Sequence, residues 1–364
     1  MTRNYKVLTT EDVDFFMENG YVIIHDCFGD EFANLVLKDI WVRLGMDPND
    51  KSTWLFEKSF PPEEFGPGMY EWTIPNTLSS TYHRKFDPRE WAPKAWDAVC
   101  DLVGGEERID MENSMWTDKL VVNLGRDEYE NNWTPPDPSK RFHIDGDYFL
   151  HFLDSVEQGL LVTPIYSEEV KHQGGGTAVF ADGWKKVTRM LADNPQGLLP
   201  QDLHITDIAQ TSKKLIEVTG KRGDVLICHP HTVHAGSKNA LRIPRFINNP
   251  VVSLKEPFKF NRPKEELSLV EQATLNNLGK ESFDFKPTGN RVMIFPVEKY
   301  LSRERMRLKE RERLEAHYAK QKQNGVAVNG ISTKATKVAL SYPYGDTPHI
   351  LPNASDGRLI SASN

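Results

Sequence analysis

His143, Asp145 and His234 are the side chains whose types and spacing suit them to hold a metal ion. The first two sit in Arg141-Phe142-His143-Ile144-Asp145-Gly146-Asp147, and the third in His229-Pro230-His231-Thr232-Val233-His234-Ala235-Gly236-Ser237-Lys238-Asn239. Two neutral imidazoles and one carboxylate bind Fe(II) on one face and leave the opposite face open for a cosubstrate and O2. Residues two apart on a strand point to the same side, so a strand ending at Asp145 would present His143 and Asp145 together. The distal His234 must then come from a facing strand. Asp147 competes with Asp145, which is favoured by its spacing from His143.

Arg245 follows His234 by eleven residues. A guanidinium offers parallel N–H donors to a carboxylate and stays charged when desolvated, so it suits the far carboxylate of a dicarboxylate such as 2-oxoglutarate. Arg242 is the competitor, in the polar turn Ser237–Arg242. Ser237 and Thr177 are placed to donate a hydroxyl to the cosubstrate, and Asn123 to stand beside the metal. His229 and His231 read as bracing the site or lining its rim, and His151 and His172 as structural or surface residues. Gly174-Gly175-Gly176 lacks the Lys-Ser/Thr of a phosphate loop and reads as a turn before a close-packed strand.

The elements that must position these groups follow from the pattern. Thr9 and Asp12 form a capping box, Val13, Phe16 and Met17 an apolar helical stripe, and Gly20 a stop. Tyr21-Val22-Ile23-Ile24 reads as a buried strand, and Asp30 as the cap of a second helix. Residues 45–90 show no sustained period. Their Trp54, Phe56, Phe60, Phe65, Tyr70 and Trp72 either wall an apolar pocket or bury the segment against the body. A helix near Pro93–Val103 ends at Gly104-Gly105. From about residue 114 short strands are expected at Met115–Leu124, Tyr148–Leu153, Leu160–Tyr166, Thr177–Phe180, Leu215–Val218, Val225–His229 and Phe246–Val252, with a helix at Trp184–Leu191. Many short strands with turn punctuation predict a sandwich or barrel, and Gly223-Asp224 a tight turn into a core strand.

These readings divide the chain into one domain over 1–295, with an N-terminal helical and irregular part (1–113) and a β core (114–295). A charged helix over 296–324 follows, read as solvated and docked at one end, with partner binding as the other reading. The tail, 325–364, is polar and read as partly disordered. The whole is 364 residues, 38% hydrophobic and 27% charged, which fits a soluble globular protein. A formal net charge of −7 argues against a broad nucleic-acid surface. No apolar run approaches the ~20 residues of a membrane helix. Three cysteines and no secretory or peroxisomal signal make a cytoplasmic location the expectation. The expected partner is a small-molecule substrate, without nucleic acid or membrane, for a monomer or homodimer.

The ordered set Gly20-Tyr21-Val22-Ile23-Ile24, His143-Ile144-Asp145, Gly175-Gly176-Thr177-Ala178-Val179, Gly223-Asp224-Val225-Leu226-Ile227-Cys228-His229-Pro230 and His234-Ala235-Gly236-Ser237-Lys238-Asn239 with Arg245 resembles the phytanoyl-CoA dioxygenase family of Fe(II)/2-oxoglutarate oxygenases. The resemblance covers roughly residues 8–250. It implies a mainly β fold with flanking helices around a double-stranded β-helix (jelly-roll) core. It also implies iron on His143, Asp145 and His234, 2-oxoglutarate on Arg245, and hydroxylation, desaturation or cyclisation with release of succinate and CO2. Two departures stand against a phytanoyl-CoA substrate. Phe180-Ala181-Asp182-Gly183-Trp184 replaces the family's frequent Pro-Gly-Ser-His, and the peroxisomal address is missing.

Overall fold

The computed structural model describes residues 5–65, 77–295 and 297–324, and the backbone of 359–361. Tyr70, Trp72 and most of the polar tail lie outside the described residues. The strands that position the site are β1 (Tyr21–Ile24), β2 (Thr77–Ser79), β3 (Val121–Asn123), β4 (Leu160–Pro164), β5 (Thr177–Phe180), β6 (Leu215–Glu217), β7 (Val225–Cys228), β8 (Val233–Gly236), β9 (Arg245–Ile247) and β10 (Val251–Val252). They form three antiparallel sheets: β1-β7-β4-β10, β8-β5-β6 and β9-β3-β2.

Two of these sheets pack face to face, and the period of two shows how. Leu161, Leu226 and Cys228, with Tyr21 and Ile23 beside them, point from the four-stranded sheet onto Val179, Ile216 and Val218. Their chain neighbours Val22, Ile24, Leu160, Val162, Val225 and Ile227 point the other way, into the large core shared with the helices. The four-stranded sheet is therefore covered on both sides, and its central strands β4 and β7 are buried throughout rather than alternating. Gly223 makes the turn into β7: its φ is +92°, and a Cβ there would lie 2.4 Å from the carbonyl oxygen of Phe28.

The helices follow local signals. The helix Thr10–Asn19 has the Thr9/Asp12 capping box and ends on Gly20 in the left-handed conformation. The next helix starts one residue earlier than expected, with Gly29 as its cap and Asp30 in its first turn. Pro93–Val103 closes on Gly104, and Gly183–Asp193 supplies the predicted helix after β5. Among the described residues no helix is long and apolar enough to cross a membrane.

Three expected strands are corrected. Met115–Leu124 is broken into Trp116–Thr117 and β3, because the Asp118 carboxylate is drawn away to accept from the backbone N–H of His83 and Arg84 at 2.7 and 2.9 Å. Phe246–Val252 is broken by Asn248-Asn249-Pro250, where proline removes a ladder donor. Tyr148–Leu153 is not a strand: Phe149 and His151 make single bridges to Met293 and Leu198, two unrelated neighbours.

Residues 45–65 form short helices, and Trp54, Phe56, Phe60 and Phe65 are all buried core. The C-terminal helix, Val297–Gln323, is attached along most of its length. Ser302, Met306, Glu310 and Leu314 are its buried face, stepping by four as a single helical stripe must. Its Arg311–Glu315 pair lies on the exposed side, at 2.8 Å.

Candidate metal centre

The two histidines meet because their backbones do. His143 and His234 exchange both N–H···O bonds at 2.9 Å, a hydrogen-bonded antiparallel pair. Such partners project side chains to one face, and the ring centroids are 4.4 Å apart. This corrects the expected strand at 143–145: a single bridge to β8 holds the segment, with no ladder on its other side. Asp145 still falls on the imidazole side. Its Oδ1 lies 3.5 Å from Nε2 of His143 and 3.6 Å from Nε2 of His234. One candidate ligand atom from each residue lies within 4.8 Å of the others.

The second nitrogen of each ring fixes the tautomer. Nδ1 of His143 is 3.1 Å from the Arg141 carbonyl, and Nδ1 of His234 is 3.0 Å from the Thr232 carbonyl. A carbonyl only accepts, so both Nδ1 atoms carry a hydrogen and each Nε2, on the Asp145 side, is the atom left for a metal. Asn249 Nδ2 donates to Asp145 Oδ2 at 3.2 Å and leaves Oδ1 toward the rings. The carboxyl is held well below its usual range, since the His143 and His234 contacts outweigh the burial that opposes ionisation. Burial, then repulsion from His143, pushes His234 down to about 4. The donor set thus presents an ionised carboxylate and, at His234, a neutral imidazole; burial opposes charge on His143 but the Asp145 hydrogen bond outweighs it and pushes that ring up, so a metal would take the place of its proton.

The triad opens into a cavity of about 210 Å³ that Arg245 also lines. Arg245 is 2% exposed, on β9 opposite Asn123. Its Nε donates to the Gly175 carbonyl at 2.8 Å and its Nη1 to the Val121 carbonyl at 3.3 Å. Among the described residues it has no carboxylate partner, and burial lowers its pKa to about 10 against the opposing pull of Glu217. Gly175 permits this approach. Its φ is +78°, and a Cβ there would sit 2.5 Å from Asn123 Nδ2. Arg242 lies outside the cavity, ion-paired with Asp127 and stacked over Trp54. Asp147 lines the cavity but is ion-paired with Lys299.

Thr177 lines the cavity. Two other expectations are corrected. Ser237 does not face the cavity: its Oγ lies 2.9 Å from the Gly176 carbonyl and 2.5 Å from Glu217 Oε1, so local acceptors consume its hydroxyl. Asn123 does not stand beside the candidate ligands: its Nδ2 donates to the Ser237 carbonyl at 2.9 Å and its Oδ1 accepts from Gly125 N–H at 3.1 Å. It braces the turn behind Arg245. His229 and His231 are buried, against Thr274 and Thr188, rather than at a rim.

Among the cavity residues that sequence reasoning missed are Asn249, Lys119, Lys299 and Arg303. The last two come from the C-terminal helix. Their spacing of four was the one available signal that they share a face.

No family model matches the chain, and no curated protein matches it. Among solved structures it is similar to EctD from S. alaskensis with bound Fe, at 14% identity and TM-score 0.38, over 79% of this chain and 90% of that one. HygX from Streptomyces hygroscopicus with nickel, 2-oxoglutarate and hygromycin B bound is similar at 15% identity and TM-score 0.35, over 66% and 85%. The non-heme alpha ketoglutarate dependent carbocyclase SnoK from nogalamycin biosynthesis is similar at 15% and 0.35, over 69% and 87%. Likenesses this distant carry no argument about the site, whose reading rests on its own geometry.

Proposed function

We propose that this chain is an Fe(II)- and 2-oxoglutarate-dependent dioxygenase with a jelly-roll core, of the kind found in the phytanoyl-CoA dioxygenase family. It would hydroxylate, desaturate or cyclise a small organic substrate and release succinate and CO2. One observation carries the reading: a buried arginine with no carboxylate partner among the described residues shares a cavity with two imidazoles and a carboxylate whose candidate ligand atoms converge. Iron, when bound by His143, Asp145 and His234, would supply the oxidising chemistry with O2. The residues supply the rest. The Arg141 and Thr232 carbonyls hold both rings in the ligating tautomer, and Asn249 holds the carboxylate. Arg245 would anchor the far carboxylate of 2-oxoglutarate with the guanidinium hydrogens its two backbone bonds leave over, and Thr177, which lines the same cavity, would help orient it. A metalloenzyme that does not use 2-oxoglutarate leaves Arg245 without a task, and a binding protein without turnover leaves the matched tautomers without one.

Anaerobic addition of Fe(II) and 2-oxoglutarate to the metal-free protein tests the proposal. The expected result is a weak visible charge-transfer band, absent in His143→Ala and Asp145→Ala. No band in the wild-type protein would overturn it.

A further inference from the structure

We infer that the substrate is an anion, a molecule carrying a carboxylate or phosphate group, and that Lys119 and Arg303 bind its charge; this rests on the dioxygenase reading above. Five cations line the cavity, Lys119, Arg141, Arg245, Lys299 and Arg303, against two carboxylates, Asp145 and Asp147. Asp147 is taken by Lys299, and Asp145 faces the two imidazoles. Arg245 is assigned to the cosubstrate, and Arg141 is exposed. Lys119 and Arg303 are half-buried, line the cavity, and make no ion pair among the described residues.

Their placement is not that of solvated surface charges. Lys119 enters from the residue pair before β3, and Arg303 from the C-terminal helix one turn beyond Lys299, so two distant segments bring like charges to one cavity. Burial, then repulsion from Arg303 and Lys299, pushes the Lys119 ammonium down to about 7. Three cations in mutual range disfavour one another until a counter-charge arrives. A guanidinium fork beside an ammonium suits a carboxylate or a phosphate, which accept two hydrogen bonds side by side. 2-Oxoglutarate does not fill this role, because its two ends would already be spent on Arg245 and the metal.

The test uses full-length protein loaded with Zn(II) and 2-oxoglutarate, whose uptake is measured first. It is then titrated calorimetrically with hexanoate, hexyl phosphate and the neutral hexanamide. Either anion should bind at least about tenfold more tightly than the amide, and the tighter of the two names the source of the charge. Arg303→Gln and Lys119→Gln should each erase most of that preference and leave amide binding unchanged, while Arg303→Lys should retain part of it. Equal binding of all three probes overturns the inference. So does an anion preference that survives the double variant, no binding of either anion, or a loss in the variants of 2-oxoglutarate affinity instead of probe affinity. Failure of Zn(II) or 2-oxoglutarate uptake would instead sink the dioxygenase reading. The probes are then compared without cosubstrate, where loss of the Arg303-dependent preference overturns the anion site as well.

Discussion

Asp118 and Lys119 are neighbours in the chain, and Arg303 and Glu310 lie two turns apart on one helix, yet these pairs divide between two unlike charge clusters. Asp118 and Glu310 belong to a closed network. Glu310 accepts from Arg43 Nε at 2.8 Å and Thr81 N–H at 2.9 Å and meets His83 Nε2 at 2.9 Å. Asp118 accepts from Arg84 Nε at 2.9 Å and is 3.4 Å from Arg43 Nη1. Arg43, Asp118 and Glu310 are at most 1% exposed, and each is matched. Lys119 and Arg303, on the same two segments, line a cavity and make no ion pair among the described residues. The lesson is one of satisfaction: where charges are buried and paired they fix the helix to the body, and where they are buried and unpaired they await a ligand.

Breaking the closed cluster should produce the largest effect. Glu310→Ala takes from the buried Arg43 guanidinium its nearer carboxylate and leaves only Asp118, at 3.4 Å, and removing one partner of a buried pair costs about 3–5 kcal/mol. A large fall in melting temperature is expected, without direct loss of any cavity group. The same network should show in acid. Burial pushes Glu310 up, but Arg43 first and then the His83 hydrogen bond hold it down at about 2 against an ordinary 4.5. A depressed carboxyl contributes stability that is fully present above pH ~4.5 and lost as pH falls toward 2. Urea melts between those limits should therefore be steeper in pH for the wild type than for Glu310→Gln. Parallel pH dependences would mean the network is not what the geometry says it is.

How much of this was legible in the sequence follows the same divide. His143, Asp145, His234 and Arg245 could be picked out together because strand periodicity and chain order bear on them directly, and the structure brings them around one cavity. Ser237 beside the cosubstrate and Asn123 beside the metal rest on placement in the strand pattern alone. Their polar groups are instead consumed by Gly176, Glu217 and Gly125, and a linear pattern cannot say whether a hydroxyl or amide is already satisfied. The charged stripe of the C-terminal helix reads as solvated because its partners, Arg43 and Thr81, lie more than 200 residues away. Long-range pairing of charges leaves no period to detect.

Arg245 should behave as a cavity residue although it is as deeply buried as Arg43. Arg245→Ala gives up two bonds to carbonyls and removes a charge without a carboxylate partner among the described residues, so its cost to stability should fall well short of that of Glu310→Ala. Its effect should appear in 2-oxoglutarate binding, weakened roughly 10–100-fold, or ~1.4–2.7 kcal/mol. Asn249→Ala should act on the other cosite, loosening metal affinity by about 10–100-fold through a carboxylate left to rotate. Calorimetric titration of each ligand beside a thermal melt separates the two roles. If Arg245→Ala melts early and still binds 2-oxoglutarate normally, the arginine belongs with the closed cluster and the division drawn here fails.

The smallest effects should come from two other arginines of the same helix, and they sharpen the comparison most. Arg311 pairs with Glu315 on the exposed side, 48% and 64% exposed, where an i,i+4 pair contributes about 0.3–0.5 kcal/mol at most. Arg303→Gln should change stability by no more than about 0.5 kcal/mol, because no ion-pair partner among the described residues is left unsatisfied. The two variants therefore look alike in a melt without ligand. They should part when a binding anion is added, since a ligand that favours the folded state raises the melting temperature in proportion to its saturation. Hexanoate or hexyl phosphate should stabilise the wild type and Arg311→Ala equally and leave Arg303→Gln nearly unmoved. Equal stabilisation of all three would place Arg303 with the solvated charges, and the cavity's excess of cations would need another explanation.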